Sequence, residues 1–138
     1  MGEMSAGGTG VRNRLKTLVV DDEQNIREIL QEFLISEGYE TRTAGSGSEA
    51  LRLIGEFKPH IMFLDIRMPD MDGLQSLRRI REIDQNVEVI MISGFATIEI
   101  ARRSLEIGAA DYIGKPMDFS HVREVVRYIT QSKFVELL

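Results

Sequence analysis

Short apolar runs alternate with stretches of helical periodicity along most of the chain. The runs lack the in-and-out alternation of a sheet with one wet face, so each predicted strand is expected to be covered on both sides. The strands are predicted at Leu18–Val20, roughly Tyr39–Ala44, Ile61–Leu64, Val87–Ile92 and around Asp111–Ile113. The pattern therefore predicts five strands in a sheet that is covered on both sides.

Each run is followed by residues spaced for one apolar face of a helix. In the first predicted helix this face comprises Ile26, Ile29, Leu30, Phe33 and Leu34, and Gly38 supplies a stop. The second helix begins at Ser46–Glu49, which has capping-box spacing, and its predicted buried face comprises Ala50, Leu53, Ile54 and Phe57.

Three further helices complete the pattern. The third is predicted from about Leu74 to Ile83, and the fourth from about Ala96 to Ile107, ended by Gly108. The last is marked by a buried stripe of Phe119, Val122, Val125, Val126 and Ile129. Strands joined through helices lie parallel, and right-handed crossovers with helices on both faces predict an α/β fold with a doubly wound open sheet.

The 138 residues are enough for one ordinary domain with a substantial core. Residues 1–14 are rich in glycine and carry no apolar pattern, so we expect a flexible leader or an expression remnant there. The domain is predicted over residues 15–131, and residues 132–138 are expected to extend the last helix or to form a linker.

Composition narrows the function classes. The chain has no cysteine, so a disulfide framework and thiolate metal sites are excluded. The formal charge of −5 argues against nucleic acid as a direct partner. No signal peptide is recognisable, and the apolar runs are far shorter than the ~20 residues that span a bilayer. We expect a cytoplasmic protein with no membrane contact.

Polar residues follow four of the strands at the point where each strand ends. Asp21 and Asp22 follow the first run, Asp65 follows the third, Ser93 the fourth and Lys115 the fifth. Because ligands of open parallel sheets bind beyond the carboxyl ends of the strands, we expect these side chains to converge. Crowded carboxylates stay ionised together only beside a divalent cation or a fixed positive charge. The pattern therefore indicates magnesium and phosphate chemistry.

Each of these residues also has a simpler interpretation. Asp22 and Glu23 would favour the positive N-terminus of the first helix, and Asp65 would serve as a metal ligand or a loop cap. Ser93 would cap a turn, and Lys115 would be a solvated loop residue. Asp65 is nevertheless the natural nucleophile, because an ionised carboxylate attacks phosphorus without a general base. Ser93 and Lys115 would then supply a hydroxyl and a positive charge to the transferred phosphoryl group.

The chain resembles the receiver domain of bacterial two-component response regulators from about Leu15 to Ile129. Five separated motifs carry the resemblance: Val19–Glu23, Leu64–Gly73, Ser93-Gly94, Gly108–Tyr112 and Lys115-Pro116. The resemblance implies a flavodoxin-like sheet with strand order 2-1-3-4-5.

The resemblance also implies a role for each matching residue. Asp65 would accept a phosphoryl group from a histidine kinase, while Asp21, Asp22, Asp65 and the backbone carbonyl of Arg67 would hold Mg²⁺. Ser93 and Lys115 would bind the phosphoryl oxygens. Tyr112 would turn inward with the Ser93 hydroxyl, and Pro116 would have a structural role after a cis peptide bond.

The implied function is that of a phosphoacceptor signalling domain rather than an enzyme. It would catalyse its own phosphorylation and slow autodephosphorylation within a phosphorelay. Its partners would be a cognate histidine kinase or phosphotransfer protein and a downstream protein or a missing output domain. The surface of helix 4, strand 5 and helix 5 would switch and would support a homodimer. The chain would be either a stand-alone regulator or the receiver of a longer transcription regulator.

Two other functions are compatible with a doubly wound sheet. An FMN-binding flavodoxin-like carrier needs a phosphate loop after strand one, where Asp21-Asp22-Glu23 would repel a phosphate in the absence of metal. An aspartyl-nucleophile phosphatase of the haloacid dehalogenase type carries Asp-x-Asp after its first strand. Here the apparent nucleophile follows strand three, and Arg67 stands where the second Asp is needed.

Overall fold

The computed structural model describes residues 15–68, 70–94 and 98–137. In chain order its elements are β1 Lys16–Val20, α1 Gln24–Ser36, β2 Glu40–Ala44, α2 Gly47–Phe57, β3 Ile61–Asp65, α3 Gly73–Ile83, β4 Glu88–Ser93, α4 Ile98–Ile107, β5 Asp111–Gly114 and α5 Phe119–Lys133, with a 3₁₀ turn at Val135–Leu137. The predicted leader over residues 1–14 and the predicted start of the fourth helix at Ala96 lie outside the described residues.

The five strands form one parallel sheet in the order β2-β1-β3-β4-β5. This confirms the predicted α/β architecture and the strand order 2-1-3-4-5. The register pairs Val20 with Leu64, Asp65 with Ile92, and Ser93 with Gly114. The carboxyl ends of β1, β3, β4 and β5 are therefore aligned along one edge of the sheet.

Both faces of the sheet are covered, as the continuous apolar runs predict. All five residues of β3 are buried. Alternate strand residues enter two separate cores: Leu18 and Met62 belong to one cluster, whereas Val19 and Phe63 belong to the other. Side chains of successive strand residues point to opposite faces, so one run of apolar residues fills both cores.

The predicted face of α2 is buried throughout, and the cap of this helix forms as the sequence predicts. The Ser46 hydroxyl accepts a hydrogen bond from the Glu49 N–H at 3.2 Å. The Glu49 carboxylate reaches back to the N–H of Gly45 at 2.8 Å rather than to that of Ser46. The capping box is thus shifted by one residue on its second bond.

The predicted face of α1 is partly wrong. Leu30 and Leu34 are fully buried, but Ile29 is 49% exposed. The helix packs on the sheet through the narrow i, i+4 row that Leu30 and Leu34 form, so Ile29 lies on the flank of the stripe and faces solvent. The stop at Gly38 is confirmed, because this residue has a φ of 98°.

The end of the described chain folds back onto the protein. Phe134 and Leu137, which follow α5, pack against the core cluster that contains Phe63. The ring of Phe134 meets the His60 ring edge to face, with centroids 5.3 Å apart. The His60 Nδ1 accepts a hydrogen bond from the N–H of Lys16, so this solitary histidine has a packing role.

Among the described helices, none is both long and apolar enough to cross a bilayer.

Two helical glycines, Gly73 at the first position of α3 and Gly55 within α2, provide a test of the packing beside the site. A Cβ at Gly73 would collide with Ile66 Cα and come within 2.9 Å of the carbonyl oxygens of Asp65 and Ile66. A Cβ at Gly55 would meet nothing within 4 Å. We expect Gly73→Ala to lower the free energy of unfolding by about 2–3 kcal/mol through overpacking. Gly55→Ala should raise it by roughly 0.5–1 kcal/mol.

Urea denaturation monitored by circular dichroism measures both effects. A Gly73→Ala variant as stable as the parent would show that α3 does not need this close approach to the end of β3.

Candidate functional site

Three carboxylates meet at the carboxyl edge of the sheet. Asp21 follows β1, and Asp65 is the last residue of the neighbouring strand β3. Each of Asp21, Asp22 and Asp65 offers an oxygen atom, and these atoms lie within 4.8 Å of one another. Asp21 and Asp65 are buried, whereas Asp22 is exposed. The structure thus brings together the three acids that the sequence singled out.

The backbone around β1 holds Asp21 in place. Its N–H donates to the carbonyl of Ala44 at 3.1 Å, and its own carbonyl accepts from Arg27 Nη1 at 2.7 Å. Its Oδ1 accepts from the N–H of Glu23 at 2.9 Å. The carboxylate is therefore tied to the start of α1 through Oδ1, and its Oδ2 lies 2.8 Å from Lys115 Nζ.

Asp65 is held by the loop that follows β3. Its Oδ1 accepts a hydrogen bond from the N–H of Arg67 at 3.1 Å. This loop is itself anchored by Asp70, whose carboxylate accepts from the N–H groups of Gly47 and Ser48 at 3.0 and 3.1 Å. Those backbone bonds at the N-terminus of α2 lower the pKa of Asp70.

Burial and charge set the titration of Asp65. Burial raises the pKa of this carboxyl from its ordinary 3.8 to about 6, and the Asp21 charge adds to the rise. The hydrogen bond from Arg67 and the Lys115 ammonium oppose it. Asp65 is therefore ionised at neutral pH, but at a cost that a bound cation would remove.

Lys115 lies among the acids with only 13% of its side chain exposed. Its Nζ is 2.8 Å from Asp21 Oδ2, 3.0 Å from Glu23 Oε1 and 3.3 Å from Asp65 Oδ2. Burial by itself would lower the pKa of this ammonium, but the bonds to Asp21 and Glu23 raise it above its usual value. Lys115 is a permanent cation of the site rather than a solvated loop residue.

The acids fit a divalent cation. One ammonium faces the carboxylates of Asp21, Asp22, Glu23 and Asp65, so negative charge is in excess. The buried Oδ2 of Asp21 has no well-aligned hydrogen bond among the described residues, even though Lys115 is close. Exposed Asp22 and buried Asp21 and Asp65 together offer the oxygen ligands that Mg²⁺ prefers.

Ser93 and Tyr112 lie on the strands next to the acids. Ser93 ends β4, is buried, and accepts through its carbonyl from the N–H of Lys115 at 2.9 Å. The Tyr112 hydroxyl is buried, and no described residue meets it in hydrogen-bonding geometry. Burial raises the pKa of this phenol, and the nearby Ser93 hydroxyl opposes the rise. The Lys115–Pro116 peptide is cis, as the resemblance implies.

A small cavity lies between the acids, the loop after β3 and the end of β4. It has a volume of about 200 Å³, and its lining includes Asp22, Glu23, Asp65, Arg67 and Ser93. The side chain of Arg67 is exposed, and the loop geometry beside Asp65 comes from its backbone N–H. A phosphoryl group and a hydrated cation are the size of ligand that such a space admits.

The interpretation of the sequence missed Glu23. This residue was expected at most to favour the N-terminus of α1, but it stands at the N-cap without making a side-chain cap bond. Its carboxylate instead binds Lys115 across 92 positions of sequence. The run Asp21-Asp22-Glu23 was the available signal, although nothing local distinguishes a capping acid from one that pairs with a distant lysine.

Comparisons with known proteins agree with this geometry. The family model described as the response regulator receiver domain matches residues 17–127. Sporulation initiation phosphotransferase F of Bacillus subtilis is 36% identical over 112 residues, which cover 81% of this chain and 90% of that protein. Regulatory protein AtoC of Escherichia coli K12 is 36% identical over 116 residues, which cover 84% of this chain but only 25% of that protein.

A solved structure shares the fold. The response regulator receiver domain protein (CheY-like) from Methanospirillum hungatei JF-1 matches with a TM-score of 0.84 at 30% identity, covering 88% of this chain and 98% of that one. The chain therefore spans nearly the full length of some relatives and about a quarter of others.

The raised pKa of Asp65 makes stability depend on pH in the absence of metal. Its folded-state pKa of about 6 lies above the ordinary 3.8, so the stability that this group contributes is present below about pH 4 and is lost as pH rises through 6. The loss corresponds to roughly 2–3 kcal/mol. Asp65→Asn keeps a neutral side chain, so in EDTA it should be more stable than the parent at pH 8, with a much smaller difference at pH 4.5.

Chemical denaturation at both pH values measures this difference. Glu82→Gln, which removes an exposed carboxylate of α3, is the control and should follow the parent at both values. Parallel pH profiles for Asp65→Asn and the parent would mean that ionising Asp65 costs the fold nothing.

Proposed function

Because the chain belongs to the response regulator receiver family of two-component systems, whose domains serve signalling rather than classical catalysis, we propose that it is a phosphoacceptor switched by phosphorylation of Asp65. The observation that carries the proposal is the ion-pair cluster in which Lys115 Nζ contacts both Asp21 and Asp65 at the carboxyl edge of the sheet. A nucleophilic carboxylate and a fixed cation are thereby within reach of one phosphoryl group.

The transfer step requires an ionised Asp65. A carboxylate oxygen of Asp65 attacks phosphorus, the bond from phosphorus to the donor histidine nitrogen or acyl oxygen breaks, and the donor keeps the electron pair. The pKa of about 6 leaves this carboxylate ionised at neutral pH, so no general base is needed. The product is an aspartyl phosphate, which water later hydrolyses.

We propose Mg²⁺ as the cofactor, held by Asp21, Asp22, Asp65 and the backbone carbonyl of Arg67. When bound, this ion neutralises carboxylate charge and draws negative charge away from the phosphoryl oxygens. Lys115 pairs with one of those oxygens, exchanging its contacts to Asp65 and Glu23 for the new anion. The Ser93 hydroxyl donates to another oxygen.

The proposed readout is a switch on the far side of β4 and β5. A Ser93 hydroxyl that turns toward the phosphoryl group leaves space beside the buried Tyr112 hydroxyl. Tyr112 packs against the same core cluster as Ile100 and Ile107 of α4, so its position bears directly on that helix. The surface of α4, β5 and α5 would then engage a partner, an output domain or a second copy of the chain.

We propose that residues 15–131 form the receiver unit and that residues 132–138 extend it or link it to a further segment. A histidine kinase or a phosphotransfer protein would supply the phosphoryl group. An FMN carrier and a haloacid-dehalogenase-type phosphatase both lack a supporting observation in the site. A flavin absorption band, or multiple turnovers on small phosphate esters, would favour one of them instead.

Phosphorylation is tested with a small donor. With acetyl phosphate and Mg²⁺, we expect the intact mass to increase by one phosphoryl group, and EDTA should abolish the increase. Asp65→Asn should not be labelled, because its amide is not a nucleophile toward phosphorus. Asp111→Asn, whose side chain keeps an acceptor oxygen for the N–H of Tyr112, is the control and should be labelled normally.

Labelling of Asp65→Asn to the same extent as the parent would refute the assignment of the phosphoacceptor.

The metal site is tested at its exposed ligand. Asp22 is exposed, so its substitution should leave the metal-free fold intact. Mg²⁺ that binds the folded state should raise the Tm of the parent. Asp22→Asn removes a charged ligand and should shift the Mg²⁺ concentration for half of that rise upward by about tenfold or more. Differential scanning calorimetry with stepped Mg²⁺ measures the shift.

Glu82→Gln serves as the charge-matched control and should behave like the parent. A Mg²⁺ response that is the same in Asp22→Asn as in the parent would remove Asp22 from the site.

A further inference from the structure

A second and larger cavity lies next to the small cavity that Asp22, Glu23, Asp65, Arg67 and Ser93 line, which we call the acid pocket. It has a volume of about 760 Å³ and lies between the loop after β3 and the helices α3 and α4. Apolar side chains form much of its wall, namely Ile66, Met68, Leu74 and Ile100. Cavities of this volume with apolar walls and a few polar groups are typical of small-molecule sites.

Three arginines line this cavity, and two of them come from different helices. Arg78 belongs to α3 and Arg103 to α4, and these helices pack against each other. Both side chains are exposed. Within the part of the chain that the structure describes, neither side chain makes a salt bridge or a hydrogen bond. Two guanidinium groups at one cavity repel each other, and an anion bound between them would relieve the repulsion.

Two acids, Asp72 and Asp22, also line the large cavity. Asp72 is already engaged, because its Oδ1 accepts from the N–H of Gln75 at 2.9 Å as the cap of α3. Asp22 belongs to the cluster of three acids described above and lines the small cavity as well. The lining of the large cavity therefore carries three positive charges, at Arg67, Arg78 and Arg103, and two negative charges, at Asp22 and Asp72, beside the apolar wall.

We propose that this cavity binds a small organic anion, in which a phosphonate, phosphate or carboxylate group is carried on a short apolar body. Arg78 and Arg103 bind the anionic group, and the apolar wall takes the body. A small molecule with an apolar body fits the site better than an acidic segment of a partner protein does, because acidic side chains would leave the apolar part of the wall without a partner. The site does not depend on phosphorylation of Asp65.

A ligand bound in the large cavity would also affect the acid pocket. Asp22, Arg67 and Ser93 line both cavities, so the two spaces share one border. A ligand in the large cavity therefore alters the surroundings of Asp22 and Ser93 and, by linkage, the affinity for Mg²⁺.

Binding is tested in EDTA with phenylphosphonate, which is an anion on an apolar ring and cannot donate a phosphoryl group. We expect saturable shifts of the backbone amide signals of Ile66, Met68, Leu74 and Ile100 in ¹⁵N-resolved NMR spectra. Inorganic phosphate supplies the anion alone and benzyl alcohol the ring alone, and both should bind more weakly. Asp65→Asn should still bind phenylphosphonate, which separates this site from the proposed phosphoacceptor.

The chain supplies matched control variants. Arg78→Gln and Arg103→Gln should each raise the Kd for phenylphosphonate about tenfold, since each removes a charge-assisted hydrogen bond. Arg79→Gln and Arg102→Gln remove the same charge from exposed neighbours on the same helices that do not line the cavity. These two variants should bind like the parent.

Equal weakening in all four variants, no saturable shift with phenylphosphonate, or shifts confined to residues away from the cavity would each overturn the proposal. Binding of a glutamate-rich peptide at Arg78 and Arg103, with phenylphosphonate silent, would also overturn it and would assign the cavity to an acidic protein partner.

Discussion

One ammonium group faces four carboxylates at the carboxyl edge of the sheet. Lys115 contacts Asp21, Glu23 and Asp65 directly, and Asp22 lies beside them. Burial raises the pKa of Asp65 to about 6 and the Asp21 charge adds to the rise, because the nearby Lys115 ammonium only partly offsets these effects. The excess of negative charge over the single ammonium supports the proposed binding of a divalent cation and the proposed exchange of Lys115 contacts for a phosphoryl group.

The fold sustains this unfavourable charge because its stability comes from elsewhere. All of β3 and the last four residues of β1 are buried, and both strands contribute apolar side chains to the two cores on either side of the sheet. Backbone contacts then hold the acids at short range: Gly73 lets α3 approach the end of β3, and the N–H of Lys115 bonds to the carbonyl of Ser93. The apolar layers thus allow the edge of the sheet to remain electrostatically strained without loss of the fold.

Strand ends were predictable from the sequence, and so were the residues attached to them. Asp21, Asp65, Ser93 and Lys115 lie where the apolar runs end, and parallel topology alone brings those ends to one edge. Ile29 and Glu23 were not assigned correctly, because their environments depend on tertiary contacts. The helical period cannot tell the centre of an apolar stripe from its flank, and the local sequence cannot tell an acid that caps a helix from one that binds a lysine 92 residues away.

The cavity between α3 and α4 could not be predicted from the sequence either, since Arg78 and Arg103 are placed by the sequence as exposed charges on two separate helices. The two arginines come to line one cavity only because α3 and α4 pack against each other beside the acid pocket. The border residues Asp22, Arg67 and Ser93 then line the acidic small cavity on one side and, on the other, the large cavity that Arg78 and Arg103 also line. A cation in the first space and an anion in the second would each be favoured by the charge of the other. Such coupling is reciprocal: the factor by which an anion in the large cavity changes the affinity for a cation equals the factor by which the cation changes the affinity for that anion.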